Sequence, residues 1–212
     1  MPLESGIQST DLLLVIDVQR DFCPGGALAI NEGDAVVPLI NQLAPRFEHI
    51  VLTQDWHPAN HQSFASTHNK DAYSQLEVSY GQQTLWPDHC VQGMPGAEFH
   101  PSLELTRAEL ILRKGFRANI DSYSAFFEND KTTTTGLAGY LRERGFQRIF
   151  LAGLAFDFCV RFSAIDAVRA GFEALVIEDA CRSVNLPGTV DATRQEFAAT
   201  GVQLIESDML LS

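Results

Sequence analysis

No apolar run in the chain approaches the roughly 18 residues that cross a bilayer, which excludes a helical membrane span. The opening stretch MPLESGIQSTD lacks the basic-then-apolar pattern of a secretory signal, so a cytoplasmic location is expected. Basic residues are scarce: 15 Lys and Arg against 27 Asp and Glu leave a net charge of −12. So acidic a protein repels the phosphates of nucleic acid and of anionic membranes, and neither is expected as a partner. The four cysteines (Cys23, Cys90, Cys159, Cys181) contain no CxxC, which argues against a zinc ribbon or a thioredoxin-type pair. In a reducing compartment they are expected as free thiols. No GxGxxG or Walker pattern follows a strand, and the PGG at 24–26 reads as a turn. Neither an internal repeat nor a domain boundary is visible, so one domain over 1–212 is expected.

What the chain does have is a rhythm. LLLVID (12–17), IVLTQD (50–55), AELILRK (108–114), RIFLAG (148–153), ALVIED (174–179) and VQLIE (202–206) read as six strands. Their nearly continuous aliphatic character is that of strands buried on both faces. Segments 34–47, 135–145, 159–171 and 189–201 carry apolar residues at helical spacing, and three of them end at a glycine. The alternation predicts an α/β fold: a doubly wound, mainly parallel six-stranded sheet with helices on both faces. Two regions break the pattern. Residues 56–101 hold four prolines, five histidines and both tryptophans without periodicity, and a loop that long is usually functional. Residues 115–134 run into KTTTT (131–135), read as a turn and helix N-cap.

Open α/β sheets bind ligands beyond the carboxyl ends of their strands. The residues ending strands here are Asp17, Asp55, Lys114 and the GLAFDFC segment that leads to Cys159. Cys159 begins a predicted helix, whose positive end is expected to lower a thiol pKa. Asp17 could take the thiol proton and Lys114 hold the resulting anion, their strands being expected as neighbours. The competing reading is a buried cysteine beside an Asp–Lys salt bridge.

The long loop supplies a second chemistry. DWHPANH offers Asp55, His57 and His61, and WPDHC offers His89. A carboxylate with imidazoles suits a divalent ion: zinc, or iron(II) or manganese. Asp55 and His57, two apart at a strand end, face the same side. Cys90 competes with its neighbour as a ligand, but adjacent residues in extended chain point opposite ways, which favours His89. The plainer alternative has these histidines capping turns or packing on Trp56 and Trp86. His49, His68 and His100 read as surface or structural residues.

Together, LLLVIDVQRDFCPGGALAI, TQDWHPANHQSF, LWPDHCVQGMPGAEFHPSL, LRKG and GLAFDFCV resemble the nicotinamidase/pyrazinamidase branch of the isochorismatase-like cysteine hydrolases, over essentially the whole chain. The resemblance implies the isochorismatase-like hydrolase fold, with 56–101 as a metal-binding loop insertion. It implies a catalytic triad of Asp17, Lys114 and Cys159. It also implies a cis Leu154–Ala155 peptide and an oxyanion hole made by the N–H groups of Ala155 and Cys159. It carries metal-ligand roles onto Asp55, His57 and His89, with His61 a candidate fourth, and ring-wall roles onto Phe22, Leu28, Trp86 and Tyr123, each of which could equally be a core residue. Phe158 departs from the polar residue that some relatives carry before the nucleophile, while Cys23 and Cys181 keep structural readings. The implied reaction is hydrolysis of nicotinamide, and of pyrazinamide, to the acid and ammonia in NAD salvage. The alternatives are a related hydrolase of a carbamoyl compound or vinyl ether, and a non-catalytic metal or redox-sensing module. Assembly as a homo-oligomer is left open.

Overall fold

The computed structural model describes residues 6–211; Ser212 and the first five residues of the MPLESGIQSTD stretch lie outside the described residues. β1 (Asp11–Ile16, DLLLVI) is buried at every position, because both faces of the strand are covered and none of its side chains needs to meet water. β1 lies between β2 (His49–Asp55) and β6 (Arg148–Leu154), and all three run parallel. β5 (Leu110–Lys114) extends the sheet beyond β2, and β7 (Glu173–Arg182) then β8 (Gln203–Ile205) extend it beyond β6. The order β5-β2-β1-β6-β7-β8 is parallel throughout, as expected.

Alternate residues of β1 serve the two faces. Leu13 and Val15 pack with α1 (Val36–Leu43) and α5 (Asp208–Leu211). Leu12, Leu14 and Ile16 pack with α2 (Leu137–Glu143), α3 (Arg161–Arg169) and α4 (Thr189–Thr200). The chain winds outward from β1 in one direction and from β6 in the other, so the crevice beyond these two strands is the topological switch point. There the strands approach closely: a Cβ at Gly153 would lie 2.1 Å from the Ile16 carbonyl oxygen. Among the described residues, no helix is long and apolar enough to cross a membrane.

Four details differ from the sequence reading. An antiparallel hairpin, β3 (Gln75–Val78) with β4 (Gly81–Thr84), interrupts the long loop. The short α5 was not expected. The helical pattern at 34–47 is an α-helix over Val36–Leu43 only, with 3-10 turns at Gly33–Ala35 and Ala44–Arg46 on either side. The N-cap position of α2 is held by Gly136 in left-handed backbone rather than by KTTTT itself, although the Thr135 hydroxyl accepts the Leu137 N–H at 3.2 Å, while Thr132 and Thr133 donate their N–H groups to the Asp130 carboxylate.

Candidate active site

Asp17 is the first residue past β1, with φ 48° and no exposed surface. Thr53 on β2 locks it, accepting the Asp17 N–H at 3.2 Å and donating its hydroxyl to Asp17 Oδ1 at 2.6 Å. Lys114 ends β5, where it pairs in register with Asp55 of β2. The expectation that the strands carrying Asp17 and Lys114 are neighbours is therefore wrong: β2 lies between them. The lysine side chain is long enough to reach past it. Its Nζ lies 2.8 Å from Asp17 Oδ2, 2.7 Å from Asp55 Oδ1, 3.0 Å from the Ser122 carbonyl oxygen and 3.4 Å from Cys159 Sγ. One buried ammonium thus faces two carboxylates and a thiol.

Cys159 sits in a single wide π-type turn, Phe156–Val160, that leads into α3. The Leu154–Ala155 peptide before it is cis. Phe158 and Val160 both donate their N–H groups to the Ala155 carbonyl, passing over Cys159. The Ala155 N–H donates to no described residue. The turn is tied from behind by Asp157, whose buried carboxylate accepts the Val184 and Asn185 N–H groups, both at 2.9 Å, and the Thr189 hydroxyl.

The helix-start argument predicted a lowered thiol pKa, but burial outweighs it. Desolvation pushes Cys159 well above the ordinary thiol range, although Lys114 pulls the other way. Burial likewise raises Asp17, again against Lys114. Burial would raise Asp55 too, but Lys114 and His57 overcome it and hold that carboxyl well below the usual range. Burial opposes the Lys114 charge, yet Asp17 and Asp55 carry its pKa well above that of a free lysine. Moving a proton from Cys159 to Asp17 changes no net charge. It shifts one negative charge between two groups that face the same ammonium.

The second cluster begins at the other oxygen of Asp55. Oδ2 lies 3.2 Å from His57 Nε2 and 3.6 Å from His89 Nε2. Each imidazole has its other nitrogen against a backbone carbonyl: His57 Nδ1 with Gly115 at 2.8 Å, His89 Nδ1 with Pro87 at 2.7 Å. A carbonyl can only accept, so both rings carry a proton on Nδ1, which leaves Nε2, aimed at Asp55, as the nitrogen each ring could offer to an ion. Donors bound at about 2.0–2.2 Å around a tetrahedral ion stand about 3.3–3.6 Å apart. The two distances from Asp55 are close to that spacing and all three donor atoms lie within 4.8 Å of one another, so Asp55, His57 and His89 are the residues that could hold a divalent metal. Cys90 is not part of that group; its backbone is left-handed at φ 47° and its N–H is held by Asp21 Oδ2 at 2.7 Å. The His61 ring lies tilted against that of His57, centroids 4.3 Å apart, and forms a further group with His57 and Asp121. However, its Nε2 faces the Arg117 carbonyl and its Nδ1 accepts from Ser63, which leaves no free lone pair for an ion. The backbone is fitted closely here as well: Gly115 has φ +65°, and a Cβ on it would lie 2.4 Å from the His57 ring.

Between the clusters opens a narrow cleft with a free volume of only about 30 Å³, well below the usual size of a small-ligand site. Phe22, Leu28, Trp86 and Tyr123 all line it, together with Cys159 and His89. Phe158 lies edge-on to Trp86, with ring centroids 4.9 Å apart, and forms the wall next to the thiol. Sequence reasoning missed Asp121, a buried carboxylate on the same cleft, and Gln83 of β4, which donates to it at 2.8 Å. Of the remaining histidines, His49 pairs with Glu109 at 3.0 Å and His68 caps the Gln62 carbonyl.

A thiol, a carboxylate and a lysine at the switch point of this parallel sheet belong to a defined class, and the Isochorismatase domain family matches residues 11–209. The chain belongs to that family. Within it, the chain is 53% identical over 200 residues to the nicotinamidase of Acinetobacter baylyi, covering 94% of each protein. The solved nicotinamidase/pyrazinamidase of Acinetobacter baumanii superposes with a TM-score of 0.95 at 53% identity, over 96% of this chain and 99% of that one. The Pyrococcus horikoshii pyrazinamidase, solved in complex with zinc, superposes with a TM-score of 0.76 at 34% identity, over 93% and 99%.

Proposed function

We infer that the protein is an amidohydrolase that converts nicotinamide, and pyrazinamide, to the corresponding acid and ammonia, as a single hydrolase domain working in the cytoplasm in NAD salvage. The observation that carries this reading is the position of Lys114, which faces Asp17, Cys159 and the metal-type ligand Asp55 at once. Similarity to curated nicotinamidases supports the substrate.

Asp17 accepts the proton of Cys159 as sulfur bonds to the amide carbon. The negative charge passes to the carbonyl oxygen, for which the N–H groups of Ala155 and Cys159 are the donors. The C–N bond then breaks, with the nitrogen taking the proton from Asp17 and leaving as ammonia. A water next gives a proton to Asp17 and adds to the thioester. The C–S bond breaks, the acid departs and the thiol regains its proton. Lys114, beside both Asp17 and Cys159, balances the negative charge that moves between them. Asp55, His57 and His89 would hold one divalent ion, zinc in the first instance with iron(II) or manganese as alternatives; when bound it supplies an anchor for the pyridine nitrogen. The aromatic walls keep the ring flat and exclude water.

The test is ammonia release from nicotinamide by protein stripped with a chelator and then reloaded with zinc, iron(II) or manganese. Release by the loaded protein that falls at least about tenfold on stripping is expected. Absence of release under all conditions would remove the reading, and release from a carbamoyl compound instead would favour a different hydrolase of the same family.

A further inference from the structure

The Tyr123 side chain stands on the cleft with an unusual hydrogen-bond balance. Its hydroxyl oxygen accepts from Trp86 Nε1 at 3.0 Å and from Gln83 Nε2 at 3.0 Å. An indole nitrogen can only donate. The Gln83 amide is fixed the same way round, because its Nε2 also faces the Asp121 carboxylate at 2.8 Å and the Thr84 carbonyl at 2.7 Å. Its Oε1 meanwhile accepts from the Tyr80 hydroxyl at 3.1 Å. The two hydrogens of that amide have shorter contacts to Asp121 and Thr84, so the indole is the firm donor to the Tyr123 oxygen, which still carries its own proton. Among the described residues, no acceptor takes that proton. Burial and Asp121 hold the phenol well above its ordinary pKa, so the proton stays on. The ring cannot swing away to find a partner, since it stacks on Phe162 with centroids 5.3 Å apart and meets Phe158 edge-on at 5.6 Å.

We propose that Tyr123 is a specificity-determining hydrogen-bond donor that selects heteroaromatic amides carrying a second acceptor on the ring. This rests on the amidohydrolase reading. In that reading the carbonyl oxygen already has its two N–H donors and the first ring nitrogen faces Asp55, His57 and His89. Nicotinamide has no acceptor left for the phenol. A diazine carboxamide has one, and a half-buried donor gains most from an acceptor that the cleft otherwise lacks. Tyr123 thus does more than form a flat wall, because its hydroxyl reads the ring edge.

The test scans a second nitrogen around the ring. Pyrazine-2-, pyrimidine-5- and pyridazine-4-carboxamide each keep a nitrogen meta to the carboxamide and place the other ortho, meta or para. With the metal-loaded enzyme, one isomer should show a KM about 3- to 10-fold below the other two. In Tyr123→Phe that preference should collapse, read as the ratio of kcat/KM to that for nicotinamide. The ratio cancels any general disturbance from leaving Trp86 and Gln83 without their acceptor. Equal KM values for the three isomers in the wild-type enzyme overturn the proposal even if the variant does not fold. So does a preference that survives in Tyr123→Phe, or a loss shared equally by nicotinamide. A wild-type enzyme that releases no ammonia from any of the four amides would instead refute the activity on which the proposal rests.

Discussion

Asp11 opens β1 and Asp17 follows its end; both are fully buried, and each meets a cation. At the amino edge of the sheet, Arg148 grips Asp11 with two nitrogens, Nε to Oδ1 at 2.8 Å and an Nη to Oδ2 at 2.5 Å, and the Gln8 N–H adds a third bond at 2.7 Å. One carboxylate there has one forked partner, which fixes the geometry of strand and loop. At the carboxyl edge, a single ammonium is shared by Asp17, Asp55 and a thiol. A pair with matched partners holds the fold together. A cation with more partners than it can fully satisfy leaves a proton with two homes, and that is the condition for acid–base chemistry.

The comparison is broken most severely at the sulfur. Cys159→Ala should lower kcat for nicotinamide by about 10⁴- to 10⁶-fold, with the melting temperature and metal content unchanged; measurable turnover in metal-loaded variant would return Cys159 to the status of a packed thiol. Next comes the shared cation. Lys114→Met leaves two carboxylates facing each other in the interior, so urea unfolding should show a loss of about 3–5 kcal/mol together with loss of activity. Unchanged stability would mean that the two acids do not depend on the lysine. The smallest effect belongs to the amino edge. Arg148→Met should cost about 1–3 kcal/mol in the same unfolding experiment, while kcat/KM stays within about twofold of wild type. A large catalytic loss there would erase the distinction between the two ends.

The six strands were legible because strands covered on both faces must be written in continuous aliphatic residues, and little else in the chain is. The hairpin was not: QLEVSYGQQT is mostly polar and partly exposed, so neither burial nor alternation marked it. Asp17, Asp55 and Lys114 stood out as charges ending apolar runs, but the strand order that inserts β2 between two of them depends on tertiary packing. Cys159 was placed at a helix start and lies two residues before α3, in the wide turn that leads into it. Its raised pKa follows from burial, which only the folded molecule reveals. Gln83 and Asp121 carried no signal, being single polar residues in aperiodic stretches whose roles come from meeting each other.

Lys114 and Gly115 are consecutive, one touching the sulfur and the other cradling His57 through its carbonyl. The ammonium that faces the thiol and the carbonyl that braces the imidazole are therefore a single peptide apart. Redesigning this enzyme for a new ring or a new ion must keep that dipeptide still, since a displacement that retunes one half is transmitted undamped to the other.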